Sequence, residues 1–356
     1  MSGIVQGNLD RVSGVVDETP AGPTISASDP TITTNATLGT QWANSSSGEF
    51  YVLTDATTDA NVWTNVGSGS GDIKPFPGTV SGYAVGGYTG SYSNVIDKFS
   101  FSSDANATDV GDSTFSGNAR TGQSSASHGY GSGGSTGSDS NVIEKFSFTS
   151  DGNATDVGDL TTARKALAGQ SSSSHGYSSG GNSGNVIDKF TFASDANATD
   201  VGDLTANANY SAGQSSSSHG YVSGGESRTV TIDKFSFSSD GNATDVGDLS
   251  FGRSSVAGQS SSDNGYTSGG YTSSSVNVID KFSFSSDGNA SDVGNLTVAR
   301  TYVTGQSSTS HAYTSGGHDD SADSNVIDKV STSSDGNASD VGNLTVARRG
   351  LAGQHY

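Results

Sequence analysis

The sequence predicts an all-β fold: a six-bladed β-propeller preceded by an N-terminal extended arm and a small β module. Three observations lead there. First, only 30% of the 356 residues are hydrophobic, while 50 are glycine. That composition suits sheets packed closely through small side chains and main-chain hydrogen bonds. Second, no apolar stripe with the 3.6-residue period of an amphipathic helix runs along the chain. Third, one unit recurs six times. Its double glycine starts at Gly86, Gly133, Gly180, Gly224, Gly269 and Gly316, and its "IDK" block starts at Ile96, Ile143, Ile187, Ile232, Ile279 and Ile327. These isoleucines are 44 to 48 residues apart, matching the ~40–50 residues of a four-stranded propeller blade.

Each unit divides into four strands. The first is "xxxAGQSS" and the second "HGYxSGG". The third, "VIDKFSF", alternates and is rich in aromatic and β-branched residues. The fourth is "ATDVGDL". The segment "ARRGLAGQHY" reads as a first strand without a second, and "GTVSGYAVGG" as a second strand with a poor first. A closed ring therefore pairs 350–356 with the segment around 81–86. A solenoid is the competing repeat architecture, but it usually has shorter units and needs caps at both ends.

Length varies in one place only. From each "IDK" isoleucine to the second glycine of the next pair the spacing is constant, 38 residues for Ile96 to Gly134 and for its counterparts. The connectors between "GG" and "IDK" (88–95, 135–142, 182–186, 226–231, 271–278 and 318–326) hold eight, eight, five, six, eight and nine residues. Up-and-down strands put all of these on one face. Unequal loops on a rigid scaffold are the usual place for binding. Tyr88, Tyr92, Arg228, Tyr271, His318, Asp319 and Asp320 are the distinctive groups there and the candidate ligand-binding residues. The plainer reading is a set of tolerant solvent loops.

The opposite face carries "SSDGNATDVGD" (238–248) and its copies. A calcium loop fits poorly. In 151–159 the carboxylate and amide side chains fall at positions 1, 3, 6 and 9, whereas an EF-hand uses 1, 3, 5 and a glutamate at 12. A three-residue "DGN" or "DAN" hairpin loop fits better, with the unchanging Asn106, Asn153, Asn197, Asn242, Asn289 and Asn337 at a left-handed position. The Asn-Ala-Thr/Ser sequons require a secretory route, and the N-terminus lacks the basic and apolar regions of a signal peptide. The stretch also resembles the Asp-box hairpins of sialidase propellers, with the glycine one place early and no tryptophan.

With 36 acidic and 16 basic residues, the net charge is −20. Nucleic acid and anionic membranes are therefore not expected partners. The absence of cysteine excludes disulfides, thiolate metal sites and galactose-oxidase chemistry. Glutamate occurs only at Glu18, Glu49, Glu144 and Glu226 and never repeats, and the arginines sit at repeat positions. No enzyme and no cofactor are expected. His128, His175, His219 and His311 recur in "HGY" or "HAY", with Asn264 in their place once; they read as turn residues.

Residues 1–38, with Pro20, Pro23 and Pro30, read as an extended attachment arm. Residues 39–75 read as a small β-hairpin module followed by a Gly/Ser linker, with Trp42 and Trp63 packed together or against a neighbour. Residues 76–356 are the propeller.

The double glycine, the "VIDKF" strand and the arginines before the next first strand (Arg164, Arg253, Arg300, Arg348) resemble the kelch repeat over 76–356. Gly117 and Ala208 depart from it at the arginine position, and "TDVG" stands where kelch units have a tryptophan. The consensus of the units, "GNATDVGDLTVAR…AGQSS", closest to 152–172, also resembles repeats in virion proteins of marine and cyanobacterial phages. That likeness implies a phage virion structural protein, a tail fibre or a head or tail appendage. It would be made in the host cytoplasm and carried on the particle. Residues 1–75 would dock on other virion proteins, and the propeller loops would meet a host-surface glycan or protein. Homo-oligomerisation stays open. The rival reading is a soluble carbohydrate-binding or glycan-degrading propeller.

Overall fold

The computed structural model describes residues 22–58, 60–66, 78–182, 184–226 and 229–355. The chain divides into two compact units, Met1–Pro75 and Phe76–Tyr356. No α-helix occurs among the described residues.

The first unit holds one four-stranded sheet: β1 (Thr24–Ser26), β2 (Gln41–Asn44), β3 (Phe50–Asp55) and β4 (Val62–Asn65). It is larger than the hairpin module expected to begin at residue 39. β1 lies in the segment read as an arm and pairs parallel to β2. Asn61 Nδ2 also donates to the Ile32 carbonyl at 2.7 Å. Alternation along β3 buries Tyr51 and Leu53 beside Trp63, and Trp42 meets Trp63 edge-on at 5.9 Å. Two indoles supply most of a core that so short a sheet otherwise lacks.

The second unit holds six four-stranded antiparallel sheets in a propeller-like arrangement. Sheet I comprises β5 (Ser81–Tyr88), β6 (Tyr92–Ser100), β7 (Thr108–Asp112) and a closing strand, Ala352–His355. Sheets II to VI span 121–159, 168–203, 212–248, 257–295 and 304–343. The closing strand pairs with β5 in the register Ala352↔Val85 to His355↔Gly82, the pairing expected for 350–356. In every repeat sheet the "GQS" strand, or the "GQH" of the closing strand, is innermost and "DVG" outermost. Neighbouring inner strands adjoin in the order II, III, IV, V, VI, closing strand and II again.

Close approach of these inner strands explains much of the glycine. A Cβ on Gly213 would come within 2.1 Å of the Gly169 carbonyl oxygen of the next inner strand. Further out, the sheets are joined by aromatic rings. Tyr177 of sheet III packs on Phe235 and stacks on Phe237 of sheet IV at centroid distances of 5.4 and 4.9 Å, so both rings of "FSF" are used. Each such pair adds about 0.5–1.5 kcal/mol beyond burial. Between "IDK" and the first strand, buried arginines meet the "IDK" acids: Arg164–Asp188, Arg253–Asp280, Arg300–Asp328 and Arg348–Asp97.

The aspartate-rich stretch corrects the sequence reading twice. The loop is not three residues long: β6 ends at Ser100 and β7 begins at Thr108. The six asparagines are also absent from the left-handed positions. Each instead caps the neighbouring sheet. Asn242 Oδ1 of sheet IV accepts the Asp203 N–H of sheet III at 3.0 Å, and the Ala243 N–H returns to the Asp203 carbonyl at 2.8 Å. Gly202 is needed because a Cβ there would lie 2.3 Å from the Gly241 oxygen. Lys189 of sheet III meets Asp240 of the same loop. The clasp recurs at all six junctions. Between sheets VI and I it uses Lys329–Asp104, Asn343 N–H to Asn106 Oδ1, and Ala107 N–H to the Asn343 carbonyl.

Candidate functional site

At the opposite end of the sheets the connectors meet the segments that enter the inner strands. One residue just before each inner strand has left-handed φ: Ala119 (53°), Ala166 (60°), Tyr210 (52°), Ser255 (57°), Tyr302 (54°) and Gly350 (67°). Their main chains form a cycle. Ala119 N–H donates to Gly350 O, Ala166 to Ala119, Tyr210 to Ala166, Ser255 to Tyr210, Tyr302 to Ser255 and Gly350 to Tyr302, at 2.7–2.9 Å. A bulky residue with positive φ is a genuine outlier. Such strain persists where surrounding structure imposes it, and it clusters at functional positions.

Tyr210 and Tyr302 flank Ser255 in this cycle, and their rings meet edge-on at 5.5 Å. Tyr302 is 38% exposed. Burial, then the neighbouring Tyr302, raises the Tyr210 hydroxyl above its ordinary pKa, against an opposing pull from Lys165. On the other half of the cycle Gly350, Ala119 and Ala166 extend no further than a methyl group. One half of the mouth is therefore aromatic and the other shallow.

The candidate residues read from the sequence form two groups. Tyr88 and Tyr92 face each other across β5 and β6, with rings 5.5 Å apart. The Arg349 guanidinium lies 5.4 Å from the Tyr88 ring and bonds Asp323 at 3.1 Å. Arg349 precedes Gly350 and so ties this group to the cycle. The second group spans sheets V and VI. Tyr271 is 40% exposed and exchanges main-chain hydrogen bonds with Ser254. His318 does the same with Thr301 and accepts the Asp320 N–H on Nδ1. Asp320 reaches across to Ser275, accepting its N–H and hydroxyl at 2.8 Å each. Asp319 accepts from Ser321 and Ala322, bonds that hold its carboxyl down at about 2. Both aspartates are thus engaged in shaping the connector. Arg228 lies outside the described residues.

Tyr210 and Tyr302 escaped the sequence reading, which followed loop length. Their signal is a change of identity at fixed length: Ala119, Ala166, Tyr210, Ser255, Tyr302 and Gly350 occupy one repeat position.

The repeated histidines stand at the far end of the sheets. Each pairs Nδ1 with the preceding serine, as His175 does with Ser174 at 2.9 Å. Burial, then the neighbouring Lys189, lowers its pKa. No group of three or more metal-ligating side chains gathers among the described residues. Chemically the connector face offers aromatic planes, hydroxyls and a few paired charges, which suit stacking and hydrogen bonding.

No protein-family model matches the chain, and no curated protein matches it.

Proposed function

We propose that residues 76–356 form a closed, six-bladed, kelch-like propeller that serves as the binding head of a phage virion protein. Residues 1–75 dock it to the particle as part of a tail fibre or a head or tail appendage. Closure is supported by the Ala352–His355 pairing with β5 and by the cyclic order of inner strands.

One observation carries the binding role. Seven of the twelve described tyrosines are buried in the cores, and the other five, Tyr88, Tyr92, Tyr210, Tyr271 and Tyr302, all stand on the connector face. Tyrosine gives large contact area at low entropic cost and dominates recognition surfaces. The partner is a host-surface glycan or protein. Aromatic planes with adjacent hydroxyls suit the faces and edges of sugar rings. In a host-cell binding assay, Tyr210→Ala with Tyr302→Ala abolishes binding while the fold is retained. Undiminished binding would refute the assignment of the face.

The same tyrosines favour a second reading, a soluble carbohydrate-binding or glycan-degrading propeller. Deleting 1–75 separates the two. The virion reading requires loss of incorporation into particles with the propeller still folded. A truncated protein that hydrolyses a glycan would establish the rival.

A further inference from the structure

Five of the six repeat sheets seat a guanidinium over the buried acid of the "IDK" strand. Besides the four pairs already described, Arg120 meets Glu144 in sheet II. There the usual arginine position is Gly117. An arginine three residues later, matched to the longer carboxylate of the lone "IEK" block, restores the pair. Among the described residues sheet IV shows no such substitute. Its arginine position is Ala208 and its acid is Asp233, 5% exposed, with no cationic partner among the described residues.

Everything else at this place is built as in the other sheets. The Ala208 carbonyl accepts the Gly181 N–H, as the Arg164 carbonyl accepts that of Gly134 and the Arg253 carbonyl that of Gly225. The main chain is therefore in position and only the side chain is cut short. Asp233 accepts from the Thr205 N–H and hydroxyl, as Asp188 does from Thr161. In sheet III the arginine also donates to the carbonyls of Gly180, Ser178 and Val186. In sheet VI it donates to those of Gly316, Thr314 and Val326. Gly224, Val222 and Thr231 hold these positions in sheet IV. Burial raises the Asp233 carboxyl above its ordinary pKa, outweighing the Thr205 bonds, as expected of an acid without its cation.

We propose that sheet IV is a socket for a guanidinium group supplied from outside the sheet, seated over Asp233 and donating to the carbonyls of Val222 and Gly224. The chemistry is that of an arginine tip, arriving either as a small free guanidinium compound or as a side chain of a bound polypeptide. The planar fork that fits five sheets from within fits the sixth as a guest.

The test is thermal unfolding of the full chain at neutral pH with millimolar methylguanidinium, against equal sodium chloride and tetramethylammonium. Methylguanidinium raises the wild-type melting temperature by about 2–4 °C at saturation, and tetramethylammonium, which has no N–H to donate, does not. Asp233→Asn loses the response. Ala208→Arg loses it too and melts higher without ligand. N-acetyl-arginine amide separates the two sources: an equal response shows that a tethered side chain fits, and none restricts the socket to small free guanidinium compounds. A wild type that fails to respond overturns the proposal. So does a response that persists in Asp233→Asn, or one that appears only after Arg228→Ala, which would mean that the chain fills the socket itself.

Discussion

At one end of the repeat sheets the same side chains meet at all six junctions: lysine with aspartate, and asparagine with the main chain of the sheet before it. At the other end the one link repeated at all six junctions is made by main-chain bonds, in the cycle that runs from Ala119 to Gly350. Side-chain contacts there differ from junction to junction, as in Asp320 with Ser275 and Asn182 with Asp139. The difference explains which end varies. A junction made by side chains fixes their identity. A junction made by N–H and C=O leaves each Cβ free, so alanine, tyrosine, serine and glycine all occupy one position of the cycle. The connector face varies because its geometry does not depend on what it displays.

The largest test of this comparison removes the 352–355 strand, whose sheet both ends share. Deleting 350–356 takes away the inner strand of sheet I, the Gly350 link of the cycle and the Gln354 bond to the Tyr130 carbonyl. The melting temperature then falls by about 10 °C or more, at roughly 2–4 °C per kcal/mol in a unit of this size. An unchanged transition in calorimetry would contradict closure.

Next come the buried pairs, which set sheet III against sheet IV. Asp188→Asn strands Arg164 without its charge and costs about 3–5 kcal/mol in denaturant titration. Asp233→Asn has the opposite sign at neutral pH. Because the folded Asp233 pKa is raised, its protonated form favours the fold. That contribution is full below the ordinary carboxylate value and is lost as pH rises through the raised one. The variant is therefore the more stable near pH 7, and the gap closes as pH falls into the carboxylate range. Equal losses in both variants would show that sheet IV has a hidden cation of its own.

Smaller effects separate the two ends directly. At the clasp end, Asn242→Ala leaves the Asp203 N–H to water and costs about 0.5–1.5 kcal/mol. Asn242→Gly gives no relief, since the position is not left-handed. At the connector end, Tyr302→Gly removes a strained conformation and raises stability by up to about 1 kcal/mol, and on the function proposed above it lowers host binding. Loss of stability there would show that the ring of Tyr302, rather than its main chain, holds the cycle.

The sequence made the strand order, the six units and the closing pair legible, because each rests on a repeated phrase or on a strand left without its neighbour. It misled at Asn242, where an invariant asparagine beside a glycine looks like a turn residue. Its true partner, Asp203, belongs to the sheet before, and nothing local records that register. It was silent on Arg120, because a long side chain three residues out of place reaches the same acid and register alone does not mark it. Of the candidate residues, Tyr88 and Tyr92 are brought together by β5 and β6, Asp319 turns inward to its own loop, and Asp320 crosses to Ser275 of the neighbouring connector. Tyr210 and Tyr302 were hidden because a left-handed position is betrayed in a sequence by glycine, and here main-chain bonds impose it on tyrosine.

The closing strand also sets an order of events during synthesis. Arg348 donates to the Ala84 carbonyl across 264 residues, so on the ribosome β5 waits with an open edge while the intervening sheets emerge and fold. An open edge is a template for any strand of matching pattern, and every unit of this chain carries one. The earliest sheet is therefore the last to be completed. At high concentration the favoured error is exchange of 352–355 between two chains, giving a strand-swapped dimer whose cores are all intact.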